Sequence, residues 1–338
     1  MLRLLHGLGY TVASIGGYID PAHPHTAMRA PLPDIPAVPE LRAAVDALGT
    51  TDNLGAAQSA LPDAALEWAD VVIYHHYLGR LFGQWPRIRD WMAGGRRVVW
   101  RTVGQSVEGN EREAAPFRAE GLEIVRYSPK ERNIPGYCGE DALIRFYKDP
   151  ADFPAWTGAE AHVVNVTQHL YQRSLGDDGA PRGAKEWTNY SYWHEATEGL
   201  PRRPLGPGSD AIGGPGELAT DVMYAELARA RAYLYTGTQP ASYTLGLIEA
   251  MMVGVPVVSI GPRYMDIFPY GPGLFEGHEL TLYGKGFDDP ADARRVIRAH
   301  LDNGSDYAGA VFHWNQRDRA LALFGRDVVS PQWKAFLG

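Results

Sequence analysis

Residues 230–261, ARAYLYTGTQPASYTLGLIEAMMVGVPVVSIG, constrain the fold more tightly than any other part of the chain. Residues 232–235 are a short apolar run with β-favouring tyrosines, 237–240 have turn composition, and 245–252 have helical character that Gly254 stops. Residues 255–260 then read as a buried strand. The helix opens at Ser242-Tyr243-Thr244, so its free backbone N–H groups and two hydroxyls converge in front of the sheet edge. That arrangement suits a phosphate group.

The rest of the chain repeats the alternation. Its 338 residues exceed the usual single-domain size, which predicts two domains, over residues 1–150 and 158–338. In the first, residues 70–75, 97–102, 122–127 and 142–146 read as strands, and 2–9, 41–48, 64–68 and 85–93 as helices. Residues 10–15 read as a strand stopped by Gly16-Gly17, and 21–39, rich in proline, alanine and histidine, as a loop. The proline-rich stretch KDPADFPAWTG, residues 148–158, reads as the interdomain linker. In the second domain, 162–167 reads as the opening strand, 204–216 as a Gly/Pro loop, 217–230 as an amphipathic helix, and 289–301 and 315–324 as closing helices. Residues 168–203 are polar and follow no clear period. Strands alternating with helices give the α/β class, with doubly wound parallel sheets.

Composition narrows the function. Thirty-two basic against forty acidic side chains leave a net charge of −8, which disfavours broad contact with a nucleic-acid backbone. No apolar run approaches the roughly 20 residues that span a bilayer. The single cysteine, Cys138, excludes an internal disulfide and suits a reducing cytoplasm. No Asp-x-Asp pair, zinc spacing or Walker loop occurs, so the residues call for no metal and no cofactor. The run Gly206-Pro-Gly-Ser-Asp-Ala211 satisfies Gly-x-Gly-x-x-Ala, but neither a strand before it nor a helix after it supports a nicotinamide site.

The run Ala241-Ser-Tyr-Thr-Leu-Gly-Leu-Ile-Glu249-Ala-Met-Met-Val-Gly-Val-Pro256-Val-Val resembles, in register, the donor-binding signature of GT-B retaining glycosyltransferases. That signature reads Glu-Gly-Phe-Gly-Leu, three residues, Glu-Ala-Met-Ala, one residue, Gly, one residue, Pro-Val-Val. The resemblance implies two Rossmann-like domains facing a cleft, and metal-free transfer of a sugar from a nucleoside-diphosphate-sugar, such as a UDP-sugar, to an acceptor hydroxyl. It gives Glu249 the ribose hydroxyls, and Ser242, Tyr243, Thr244 and Leu245 the diphosphate. Ala241 stands where the family has its first glutamate, and Ser242 and Thr244 replace its two glycines. The family opens with a strand and a Gly-rich loop; this chain opens on the helix, so the first strand is expected to be missing.

Further roles follow from the same resemblance. Asp70-Val-Val-Ile-Tyr-His75 is similar to a family stretch whose last histidine sits near the transferred sugar, which makes His75 the acceptor-side candidate, with His76 facing the other side of the strand. Gln168 and Arg173 occupy the places of an arginine and a lysine that hold the diphosphate, and Lys185 offers a second cation. Gly213 lies in the loop that contacts the nucleobase. Residues 101–106, with Lys130 and Glu131, follow strands and so point toward a ligand at the carboxyl ends of the sheet. The acceptor stays open among a small molecule, a glycan and a hydroxylated base of phage-type DNA, the last opposed by the charge. A nucleotide-sugar epimerase and a non-catalytic nucleotide-sugar-binding protein of the same fold are the alternative functions. Nothing in the residues reads the oligomeric state.

Overall fold

A computed structural model describes residues 1–13, 38, 41, 61, 63–75, 78–104, 107–176, 179, 187–265, 273–311 and 316–338. The chain divides into two compact units, Met1–Tyr147 with Val329–Gly338, and Lys148–Val328.

The first unit carries a parallel sheet in the order β1-β2-β3-β4, with β1 at Val71–His75, β2 at Arg97–Arg101, β3 at Glu123–Arg126 and β4 at Ala142–Leu143. Successive side chains of a strand point to opposite faces, so a sheet covered on both sides reads as a continuous apolar run. β2 shows it. Val98 and Trp100 join Leu66, Trp85, Ile88, Trp91 and Ile124 in one core. Val99 joins Leu4, Leu5, Val125, Ile144, Val329 and Trp333 in another. Leu4 and Leu5 come from the helix Leu2–Gly7, and Val329 and Trp333 from the helix Arg326–Leu337. The end of the chain therefore completes the first core, which corrects a second domain running to residue 338. Arg97 ties it down, pairing with Glu123 at 2.6 Å while donating to the carbonyls of Phe336 at 3.0 Å and Leu337 at 3.3 Å. Residues 10–13, expected to begin a strand, are irregular; 14–15, and all but residue 41 of the expected 41–48 helix, lie outside the described residues.

The charged helix Glu108–Ala119 was not expected from its composition. Its inward face carries Glu111, fully buried, which accepts two hydrogen bonds from the buried Arg126 guanidinium at 2.6 and 2.7 Å. A bidentate pair of this kind lets a charged residue occupy a core position. The same carboxylate accepts the Cys138 N–H at 2.9 Å. Burial, with Glu111 alongside, pushes the Cys138 thiol up to about 11. Thiolate is the reactive form, and at pH 8 a free cysteine is about one quarter ionised. Cys138 in the folded protein is accordingly expected to alkylate with iodoacetamide about a hundredfold more slowly than in urea-unfolded chain; equal rates would show the thiol to be open.

The second unit holds a parallel sheet in the order β6-β5-β7-β8, with β5 at Glu160–Val166, β6 at Arg202–Leu205, β7 at Ala230–Tyr235 and β8 at Val257–Ser259. β7, the helix Leu245–Val253 and β8 form the expected crossover. β6 was read as polar chain followed by loop. It is an edge strand, where Pro204 is tolerated and the Arg202 guanidinium lies 4.6 Å over the ring of buried Trp193. Helices Thr220–Arg229, Pro290–Val311 and Gln316–Phe324 complete the unit, the second broken at Gly304. Among the described residues no helix is long and apolar enough to cross a membrane.

Candidate functional site

The donor-type motif opens at the carboxyl edge of the second sheet. The loop leaving β7 is fixed by side-chain and backbone groups outside it. Asn165 Nδ2 donates to the Leu234 carbonyl at 2.8 Å, Asn189 Nδ2 to the Thr236 carbonyl at 2.8 Å, and the Gln239 N–H to the Trp187 carbonyl at 2.8 Å. Ser242 is fully buried, and its carbonyl accepts the N–H groups of Glu276 at 3.0 Å and Gly277 at 3.1 Å. Tyr243 is buried too, with its ring 5.7 Å from that of Phe324, so its side chain packs into the unit. Thr244 is the N-cap of the helix Leu245–Val253, has extended backbone, and makes no side-chain cap hydrogen bond. Thr244, Leu245 and Gly246 are half-buried, unlike the residues on either side. The first-turn amides thus keep free valence at a partly open surface.

Gly246 brings that helix end onto β5. A Cβ at this position would lie 3.0 Å from the Val166 carbonyl oxygen, so a side chain would push the first turn away from the strand. Beyond Val166 the chain turns through Gln168 and His169, both exposed. The His169 N–H donates to the Pro207 carbonyl at 2.7 Å, and its own carbonyl accepts the Arg173 N–H at 2.9 Å. The turn is locked again where Ser174 Oγ and Thr188 Oγ1 both donate to the Leu170 carbonyl, at 2.9 and 2.6 Å. Arg173 is half-buried, desolvation lowers its pKa below the usual arginine value, and no side chain among the described residues pairs with it. An unpaired, partly dehydrated guanidinium is costly unless an anion arrives. Gln168 brings no charge to this edge, and Lys185 lies outside the described residues.

Glu249 sits one turn inside the helix, with its carboxylate 2.5 Å from Lys148 Nζ; the two side chains are 9% and 14% exposed. Tyr224 is hydrogen-bonded to the same carboxylate, and burial with that negative neighbour drives the phenol pKa far up, so the hydroxyl stays protonated. Lys148 is the first residue of the unit and had no signal in the sequence, because its partner lies 101 residues away.

The remaining candidates separate. Gly213 lines an open groove of about 530 Å³ with His162, Arg202 and Arg203. Those side chains belong to the amino halves of β5 and β6, the other end of the strands from Val166 and Leu205. Burial lowers the pKa of His162. In the first unit, His75 is exposed at the carboxyl end of β1, in register with Arg101. His76, Gln105 and Ser106 lie outside the described residues. Arg101, Thr102 and Glu131, expected to face a ligand, are buried instead. Arg101 lies 5.1 Å from the Phe146 ring. Glu131 Oε2 accepts Thr102 Oγ1 and the Tyr127 N–H, both at 2.9 Å, and the Ser128 N–H at 3.2 Å, closing a capping box on the turn after β3. These residues shape loops. Among the described residues no three His, Cys, Asp or Glu side chains converge as metal ligands would.

No family model matches the chain, and no curated protein matches it either. Solved structures do. HepE of Anabaena in complex with UDP-glucose aligns with a TM-score of 0.55 at 13% identity, over 81% of this chain and 80% of that one. HepE with UDP aligns at 0.54 and 12% identity, over 81% and 79%. At such identities the likeness establishes the fold: two Rossmann-like α/β domains built on parallel sheets.

Proposed function

We propose that the chain is a GT-B glycosyltransferase that moves a sugar from a nucleoside-diphosphate-sugar to an acceptor hydroxyl with retention of configuration. The observation that carries this reading is Arg173, a half-buried cation without a described anionic partner, on the turn after β5 where Gly246 seats an uncapped helix end. A diphosphate satisfies both the guanidinium and the amides. HepE, which has this fold, was crystallised with UDP-glucose, with UDP, and with UDP and glucose, so UDP-glucose is the first donor to test.

In this reading the carboxylate of Glu249 accepts hydrogen bonds from the ribose hydroxyls. The glycosidic C–O bond to the diphosphate breaks, and Arg173 with the amides of residues 245–247 stabilises the negative charge that builds on the departing oxygen. That oxygen takes the proton of the acceptor hydroxyl, whose oxygen bonds to the anomeric carbon on the face just vacated. His75, exposed at the end of β1, belongs to the acceptor side. Protein groups alone neutralise the leaving group, so transfer should survive EDTA.

Calorimetric titration with UDP, GDP, ADP and TDP tests the donor site. One of them is expected to bind with a Kd on the order of micromolar, and its sugar conjugate to be turned over with release of that free nucleoside diphosphate. If none binds at millimolar concentration, the donor assignment fails.

A further inference from the structure

We propose that Tyr235 is a positioning residue of this site: its buried phenol holds the side chain of the N-cap residue Thr244, which leaves the first-turn amides of the helix Leu245–Val253 open to a diphosphate. The inference rests on the donor reading above. Thr244 has the residue type and the extended backbone, φ −114° and ψ 162°, from which a hydroxyl ordinarily accepts an N–H of its own first turn. It makes no such bond. Ser128, Asp149 and Asp289, each just ahead of a helix or a 3-10 turn, all do so, accepting the N–H groups of Lys130 at 3.1 Å, Ala151 at 3.0 Å and Ala291 at 2.8 Å.

What sets Thr244 apart is its neighbour. Tyr235 is the last residue of β7, and its ring is wedged in place: a Cβ on Gly277 would lie 2.3 Å from Tyr235 Cε1, and the Phe275 ring stacks 6.0 Å away. The N–H groups of Glu276 and Gly277 bond the Ser242 carbonyl, two residues before Thr244, so the ring and the N-cap are fixed against each other. The phenol oxygen meets the hydroxyl and the N–H of Thr244 in contacts looser than full hydrogen-bond geometry, and no other polar group among the described residues completes a hydrogen bond to it. Burial drives the phenol pKa far up, so the hydroxyl keeps a proton to share with the Thr244 oxygen. A buried hydroxyl is costly to leave without a partner, and this one has Thr244 alone. The consequence falls on the amides. An N-cap side chain bonds the second or third N–H of its helix, here Gly246 or Leu247, and those are the groups a diphosphate takes.

Tyr235→Phe removes the phenol oxygen, keeps the ring, and releases the Thr244 hydroxyl to cap its own helix. The variant is expected to melt no lower than the parent. For whichever nucleoside diphosphate binds the parent best, calorimetry should show affinity reduced about threefold to tenfold, the competition of one cap hydrogen bond. Affinity for the corresponding nucleoside, followed by NMR titration, should stay within about twofold, since it carries no phosphate. Adding Thr244→Ala removes the competing hydroxyl and keeps the amides. The double variant should therefore melt below Tyr235→Phe yet bind the diphosphate at least about threefold more tightly than it does. A Tyr235→Phe protein that melts well below the parent, binds the diphosphate as the parent does, or loses diphosphate and nucleoside equally overturns the role of Tyr235 and leaves the donor site standing. So does a double variant that binds no better than the single one. A parent that binds no nucleoside diphosphate overturns both.

Discussion

Arg173→Ala is expected to lower the turnover of sugar transfer by about 10²–10³-fold while raising the donor KM by no more than about threefold. The guanidinium is half-buried, and among the described residues no ion-pair partner competes for it. A donor in the ground state spreads the diphosphate charge and already has the helix amides as partners. Charge concentrates on the leaving oxygen only as the glycosidic bond breaks, and a fixed cation in a partly dry site gains most at that moment. Arg173→Lys should recover part of the turnover, as a point charge without the bidentate fork. Single-turnover measurement of diphosphate release from the donor separates the chemical step from product release. If Arg173→Ala raises KM and leaves turnover intact, Arg173 is a ground-state contact and the leaving-group role is wrong.

What the sequence disclosed follows from the range of the interactions involved. The crossover from β7 through Leu245–Val253 to β8 was legible because apolar runs, a turn and a glycine stop define it locally, and Gly254 is left-handed as a helix-ending glycine should be, at φ +97°. β6 was hidden because an edge strand needs little hydrophobicity, and its arginines are held by Trp193 and Glu226 from other elements. Glu111 hid the helix Glu108–Ala119 for a related reason: a carboxylate reads as solvated unless its buried partner, Arg126, is known to face it. Glu131 misled in the opposite sense, since its place after a strand suggested a ligand while its oxygen closes a turn. In the second unit, the motif located the start of the helix Leu245–Val253. Lys148 emerged only in three dimensions, because a contact across 101 residues leaves no local pattern.

The pairing of Glu249 with Lys148 decides how the donor assignment has to be tested. Glu249→Ala leaves the Lys148 ammonium largely buried without its counter-charge, a change that costs about 3–5 kcal/mol in such pairs. The variant is therefore expected to lose donor binding and stability together, and a loss of binding in a half-unfolded sample says nothing about ribose. Lys148→Met with Glu249→Gln removes both charges and keeps the volume, and the amide introduced by the second substitution can still accept from the Tyr224 hydroxyl. Urea denaturation should show this double variant recovering most of the stability that Glu249→Ala loses. Its affinity for the nucleoside diphosphate should nonetheless stay about tenfold to a hundredfold below the parent if Glu249 accepts two ribose hydroxyls as proposed, because a neutral amide then replaces that carboxylate. A 2′,3′-dideoxyribose analogue supplies the internal control: it offers no hydroxyls, so parent and double variant should bind it alike. Parent-like affinity of the double variant for the intact nucleotide would reduce Glu249 to a structural partner of Lys148. Equal losses for nucleotide and analogue would remove the ribose from the account.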